Sequence, residues 1–356
     1  MNTGCGMERV RLGGSEVMVS AVSLGTMTFG NQTARDEAHR QLDMALDAGI
    51  GFLDTAEMYP VNPVRRETVG RSEEILGAWL ALRGNRDRVQ IATKATGPSD
   101  KVRPEGYDGS TIGDIINRSL RRLGTDCIDL YQLHWPVRGS YAFRQNWRYD
   151  PSKQDRQRTL DHMAGMIEAL KQARQAGKIR AFGLSNESAW GTLRWIDTAE
   201  RLGGPRVVSV QNEYSLLHRL YDTDMAEVAA NENVTLLAYS PLAAGLLTGK
   251  YAEGEPDGSR AAVDRAAGGS GDLGGRRTPR AAAAVAAWHA LAAELGLDPI
   301  HMAIAFVRQR PFACIPIIGA TTCDQLDHLL RGLDLVLTPD ALRRIDRLHR
   351  NHPLPY

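Results

Sequence analysis

No stretch of this chain holds the roughly 20 consecutive apolar residues that a membrane-spanning helix needs, so no membrane partner is expected. Net charge is nearly absent as well: 43 Lys and Arg stand against 42 Asp and Glu, a formal +1. Such a balance makes no field to gather nucleic acid or an anionic lipid surface, and no basic run is interleaved with aromatics. Cysteine is scarce, at positions 5, 127, 314 and 323, with no CxxC pair. That spacing reads as free thiols in a reducing compartment rather than a disulfide framework. The N-terminal MNTGCGMERVRLGG lacks the apolar core of a signal peptide, so the cytoplasm is the expected location. No metal is expected, because His134 has no second His or Cys at ligand spacing and the nine histidines are scattered. Also missing is a GxGxxG after a strand, which removes the conventional dinucleotide-binding fold.

What the chain does have is alternation. Residues 8–22 read as a hairpin turning at Gly13-Gly14. Eight short apolar runs follow: AVSLGT, GFLDTA, VQIATK, CIDLYQLH, IRAFGLS, VVSVQN, VTLLAYS and CIPIIG. Near-continuous apolar runs suit parallel strands covered on both faces. Helical patterns separate them at 36–48, 72–82, 111–123, 159–176, 188–202 and 222–231, then 279–295 and 299–309 before the last strand. Two more helices are expected at 323–331 and 339–349. Alternation of this kind leaves an open doubly wound sheet or a closed barrel, and a count of eight favours the (β/α)8 TIM barrel. The expected architecture is therefore one domain over 1–356, an α/β (β/α)8 barrel with an N-terminal β-hairpin and extra helices near the C-terminus. Two segments read as long loops: 135–158, rich in aromatics, and 252–278, rich in Gly, Ala, Asp and Arg and expected to be mobile.

In such a barrel, chemistry sits at the C-terminal ends of the strands, and polar residues cluster there: Asp54 and Tyr59, Lys94, His134. A free tyrosine, with pKa near 10, is a reluctant acid at neutral pH. A lysine ammonium about 4 Å away, at an effective dielectric near 20, favours the phenolate by roughly 4 kcal/mol before desolvation. An aspartate would hold that ammonium, and a neutral histidine can orient a carbonyl oxygen. Taken singly, Asp54 reads equally as a cap, Lys94 as a surface residue and His134 as a core histidine.

Together, GFLDTAEMY (51–59), IATK (91–94) and LYQLHWP (130–136) resemble the aldo-keto reductases. The resemblance runs from VSLGTMTFG (22–30) to IGATTCDQL (318–326), and GKIRAFGLSNE, VQNEYSLL, AYSPL and LTGKY are most like the Tas-like subgroup. It implies NADPH-dependent interconversion of carbonyls and alcohols, with Tyr59 as general acid/base and Asp54, Lys94 and His134 in support. It also implies a cofactor path. Gly25, Thr26, Met27 and Asp54 would line it. Ser185, Asn186 and Gln211 would meet the nicotinamide carboxamide, and Tyr239 would stack on the ring. Ser240, Pro241, Leu242, Lys250 and Arg260 would follow the pyrophosphate, and Gly319, Thr321 and Gln325 the adenosine phosphate. Here the chain departs from the family pattern, with Ala320 and Leu326 where many relatives carry a cation for the 2′-phosphate, and Leu329, beside His328, in place of an asparagine. Arg260, Arg265, Arg276 or Arg277 is expected to supply that charge, and NADH remains open as a cofactor.

Phe29, Tyr59, His134 and Trp135, with the aromatics at 141–149, are candidates for an apolar substrate pocket; equally, the loop aromatics would only pack their loop onto the rim. Three functional readings compete. The first is a reductase of aldehydes or ketones, aromatic or polycyclic ones suiting a spacious apolar pocket. The second is a nicotinamide-sensing regulatory subunit similar to channel β-subunits, with slow turnover. The third is an aldolase using Lys94 as a Schiff base.

Overall fold

In a computed structural model, residues 7–356 are described; Cys5 lies outside them. Cys127, Cys314 and Cys323 are free thiols, as their spacing predicts. β1 (Arg9–Arg11) and β2 (Met18–Ser20) form the antiparallel hairpin. Eight strands follow: β3 (Ser23–Gly25), β4 (Phe52–Asp54), β5 (Gln90–Ala95), β6 (Ile128–Leu133), β7 (Ile179–Ser185), β8 (Val207–Glu213), β9 (Thr235–Tyr239) and β10 (Cys314–Ile318). Each pairs in parallel with the next, and β10 returns to β3, closing the barrel. This is the (β/α)8 fold that the alternation predicts.

The barrel's contents follow from the two-residue period of a strand. Phe52, Ala92, Leu130, Ala181, Leu237 and Ile315 share an apolar interior cluster, closed at the bottom by Leu12 and Val19 of the hairpin. Two residues further along, the same inward faces turn polar: Asp54 after Phe52, Lys94 after Ala92, Gln132 after Leu130, Tyr239 after Leu237. His134 and Ser185 lie four residues beyond Leu130 and Ala181. The intervening residues, among them Leu53, Ile91, Tyr131, Phe182 and Val210, face outward into a second, larger core against the helices.

Those helices are α1 (Arg35–Asp47), α2 (Arg71–Arg83), α3 (Ile112–Leu123), α4 (Arg156–Gln175), α5 (Ala189–Leu202), α6 (Asp224–Glu232), α7 (Arg260–Ala266), α8 (Pro279–Glu294), α9 (Pro299–Arg308), α10 (Cys323–Arg331) and α11 (Pro339–Asn351). Among the described residues no single helix is long and apolar enough to cross a membrane. Two expectations shift. Helix α4 begins three residues earlier than its apolar pattern suggests, because the Asp155 side chain caps it by accepting the Arg158 N–H. The 252–278 segment is not structureless. It carries α7, capped by Ser259, and is tied to the barrel where Arg276 donates to Glu213 Oε1 at 2.8 Å.

Candidate active site

Lys94 is fully enclosed, 0% exposed. Its Nζ donates to Asp54 Oδ2 at 2.7 Å, to the Thr55 carbonyl at 2.7 Å and to the Tyr59 hydroxyl oxygen at 3.5 Å. An ammonium has three donors, and all three are committed. The group is thus held as a cation, which disfavours a Schiff-base nucleophile. Asp54 is fixed in turn: its Oδ1 accepts from Gln211 Nε2 at 2.8 Å and from Gln132 Nε2 at 3.4 Å. The imidazole of His134 meets the Tyr59 ring edge-on, centroids 5.8 Å apart. Two strand ends and the turns after β4 and β6 therefore bring Asp54, Tyr59, Lys94 and His134 together.

The electrostatics correct one expectation. Burial and, secondarily, the Asp54 charge push the Tyr59 phenol well above its usual value, with Arg260 opposing them. The phenolate stabilisation expected from Lys94 does not dominate over burial and Asp54: the ammonium lies at 2.7 Å from the carboxylate and at 3.5 Å from the phenol oxygen. Tyr59 is held protonated. Its oxygen accepts from Lys94, and among the described residues no protein group accepts the Tyr59 proton. Burial and the neighbouring Lys94 charge hold His134 well below the usual imidazole range, and its Nδ1 is buried without a partner. This is a neutral ring with hydrogen-bonding capacity in hand. Lys94 itself is lowered by burial, with Asp54 opposing.

The residues implied for nicotinamide form one network beside this group. Tyr239 donates to Asn186 Oδ1 at 2.8 Å, and Asn186 Nδ2 donates to the His134 carbonyl at 2.9 Å and to Ser185 Oγ at 3.1 Å. Ser185 in turn donates to the Gln211 carbonyl. Ser240, in left-handed backbone (φ 53°), Pro241 and Leu242 leave the end of β9. Gly25, at the end of β3, has no room for a side chain: a Cβ would stand 2.9 Å from Ile317. Thr26 Oγ1 donates to the Asp54 carbonyl. At the far side, the backbone N–H and Oγ1 of Thr321 both donate to Gln325 Oε1 at 3.0 Å, two residues after Gly319.

The chain fits an anionic dinucleotide at one telling place. Lys250 and Arg260 make no ion pair among the described residues. Burial, then its neighbour Arg260, lowers Lys250. Arg260 is brought down to about 10 by burial and by Arg276. Two cations without counter-charges, Arg260 half-buried and Lys250 exposed, suit a pyrophosphate. The other loop arginines do not have that freedom. Arg276 pairs with Glu213, and Arg265 and Arg277 both pair with Glu255. Arg260 Nη2 lies 3.9 Å from Met27 Sδ and acts electrostatically on Tyr59. Arg265, Arg276 and Arg277 are thus committed to carboxylates, and Arg260 is the one of the four without such a partner among the described residues.

The substrate side changes most. Phe29 is 0% exposed and packs in the helix-facing core, its carbonyl accepting from Ser72 Oγ at 2.8 Å. It does not wall an open pocket. Trp135 does border the site, its ring 4.8 Å from that of His134. Tyr141 and Tyr149 pack on each other, while Trp147 is 61% exposed. A cavity of about 610 Å³ lies against Trp135, with Tyr107, Arg138, His162, Met163 and Trp195 in its wall, and none of Tyr59, Lys94 and His134 lines it.

Two contributors escape sequence reasoning. Gln132, a ligand of Asp54, sits two residues before His134 on the same inward face, so strand periodicity holds a signal for it. Glu213 gathers Arg276, Arg144 and the Tyr356 hydroxyl. These partners are 63, 69 and 143 residues away, and no local pattern marks them.

Comparison with known proteins agrees with this geometry. The sequence profile described as "Aldo/keto reductase family" matches residues 21–350. Protein tas of Escherichia coli K12 is 42% identical over 98% of this chain and 99% of its own. An uncharacterized oxidoreductase of Bacillus subtilis, YrpG, is 32% identical over 96% and 95%. A probable voltage-gated potassium channel subunit beta of Oryza sativa is 30% identical over 98% of each. Barrel, strand-end residues and full-length similarity converge, and the chain belongs to the aldo/keto reductase family, in its Tas-like subgroup.

Proposed function

We propose that this oxidoreductase reduces small aldehydes or ketones to alcohols with NADPH, and runs the reverse reaction, as one catalytic domain over 1–356 in the cytoplasm. The observation that carries this reading is the hydrogen-bond direction at Tyr59. Lys94 donates into the phenol oxygen, which frees the phenol's own proton for a substrate oxygen.

A bound reduced nicotinamide supplies the hydride for the carbonyl carbon. Tyr59 gives its proton to the carbonyl oxygen as negative charge builds there. The Lys94 ammonium stabilises the phenolate that remains, and Asp54 keeps that ammonium in place. His134, kept neutral by burial, donates its N–H to the same oxygen and orients the carbonyl. In the alcohol-oxidising direction the same groups act in reverse. Asn186, Ser185 and Gln211 suit the carboxamide, Tyr239 the ring face, and Lys250 and Arg260 the pyrophosphate. NADH fits this set equally well, since no cation is assigned to a 2′-phosphate.

The channel-subunit relative supports a second reading, a cofactor sensor with slow turnover. Oxidation of NADPH in the presence of 4-nitrobenzaldehyde separates the two. The reductase reading expects steady turnover, and Tyr59→Phe is expected to cut kcat by about 10²–10⁴-fold with cofactor binding preserved. A wild type that binds NADPH tightly but does not turn over favours the sensor. A Tyr59→Phe variant with most of the wild-type rate overturns the proton-donor assignment.

A further inference from the structure

We propose that Asp298, His301 and His328 form a zinc site on the outer face of the barrel, apart from the strand ends. Asp298 is the N-cap of α9. Its Oδ1 accepts the backbone N–H groups of Ile300 and His301 at 2.8 and 3.0 Å. Its other oxygen, Oδ2, faces His328 Nε2 at 3.1 Å. His301 stands one turn into α9, and its ring packs on that of His328 with centroids 4.9 Å apart. The His301 Nε2 lies 2.8 Å from the His328 carbonyl oxygen, which anchors the ring. One ligating atom from each of the three side chains lies within 4.8 Å of the other two.

Two imidazoles and one carboxylate are a donor set that zinc takes, at about 2.0–2.2 Å from each ligand. Tetrahedral ligation at that length spaces ligand atoms roughly 3.4 Å apart. The Asp298–His328 pair, at 3.1 Å, already has nearly that separation. The backbone hydrogen bonds to Asp298 Oδ1 orient its carboxylate as outer-shell bonds orient metal-ligating carboxylates elsewhere. His328 and Asp298 are 40% and 33% exposed, so an ion enters from solvent and keeps water in its fourth position. The bound ion would tie α9 to the last turn of α10, the helix whose start carries Gln325.

The test is calorimetric titration of untagged, chelator-treated full-length protein with zinc sulfate at pH 7.5, beside Asp298→Asn and His328→Gln. Asparagine retains the helix cap while removing the charge, and thermal melts without zinc establish that both variants fold. The expected result is saturable binding of one zinc per chain, weakened at least about 10-fold in each variant, with a zinc-dependent rise in Tm in the wild type alone. Absence of saturable binding to the wild type overturns the proposal and leaves an Asp–His hydrogen bond joining two helices. Binding unchanged in both variants also overturns it, since the ion then sits elsewhere.

Discussion

Arg260 is the residue whose surroundings differ most from those of its neighbours in sequence. Arg265, Arg276 and Arg277 each have a carboxylate, whereas Arg260 is enclosed among Met27, Tyr59 and the positive field of Arg276. An anion beside it would replace the missing counter-charge, and a charge-assisted hydrogen bond contributes about 1.5–3 kcal/mol. Arg260→Ala is therefore expected to weaken both NADPH and NADH by roughly 10–100-fold, measured as Kd by fluorescence titration. A loss confined to NADPH would instead put Arg260 on the 2′-phosphate. The quartet Asp54, Tyr59, Lys94 and His134 was legible at this scale, because each residue stands at a strand end where a barrel concentrates chemistry. The protonation state of Tyr59 was not. It is set first by burial of the phenol and then by the Asp54 charge, with Lys94 nearer to Asp54 at 2.7 Å than to the phenol at 3.5 Å. Phe29 was misjudged for a similar reason: an aromatic beside a glycine-rich turn reads as a pocket wall until α2 is seen packed over it.

Among the elements, the segment between β9 and α8 shows how one buried ion pair orders a stretch of low hydrophobicity. Burial alone would raise the Glu213 carboxyl, but Arg276, His218 and Arg144 outweigh it and bring it from 4.5 to about 2. Because the folded carboxylate keeps its charge below the unfolded pKa, this contribution to stability is complete above pH 4.5. It is lost as pH falls toward about 2. Glu213→Gln leaves Arg276 buried without a full counter-charge, so the variant should melt well below the wild type at pH 7. The gap should shrink steadily as pH drops from 4.5 toward 2. Thermal melts across that range check it, and a gap independent of pH would show that Glu213 acts by packing alone. The composition of 252–278 gave no sign of this anchoring. Burial of Arg276 depends on Glu213 and on the Tyr356 ring beside it, partners brought together only by the fold.

For the whole molecule, the barrel divides its interior into an apolar floor and a polar mouth, two residues apart on β4, β5, β6 and β9. Phe52 is the largest side chain of that floor, fully buried beneath Asp54. Phe52→Ala is expected to cost about 3–5 kcal/mol, read from urea unfolding. Since Asp54 and Lys94 hold each other by direct bonds, residual activity below Tm should fall far less than stability does. Strand count, parallel sense, the hairpin and the inward-facing polar residues were all determined by the sequence alone, because a two-residue period and strand-end chemistry are local properties of the chain. Closure of the barrel decided the rest. It set which carboxylate each arginine meets, that Phe29 is core, that a cavity opens beside Trp135, and that His328 stands beside Asp298. Those outcomes depend on contacts between residues tens to hundreds of positions apart, which no local pattern encodes.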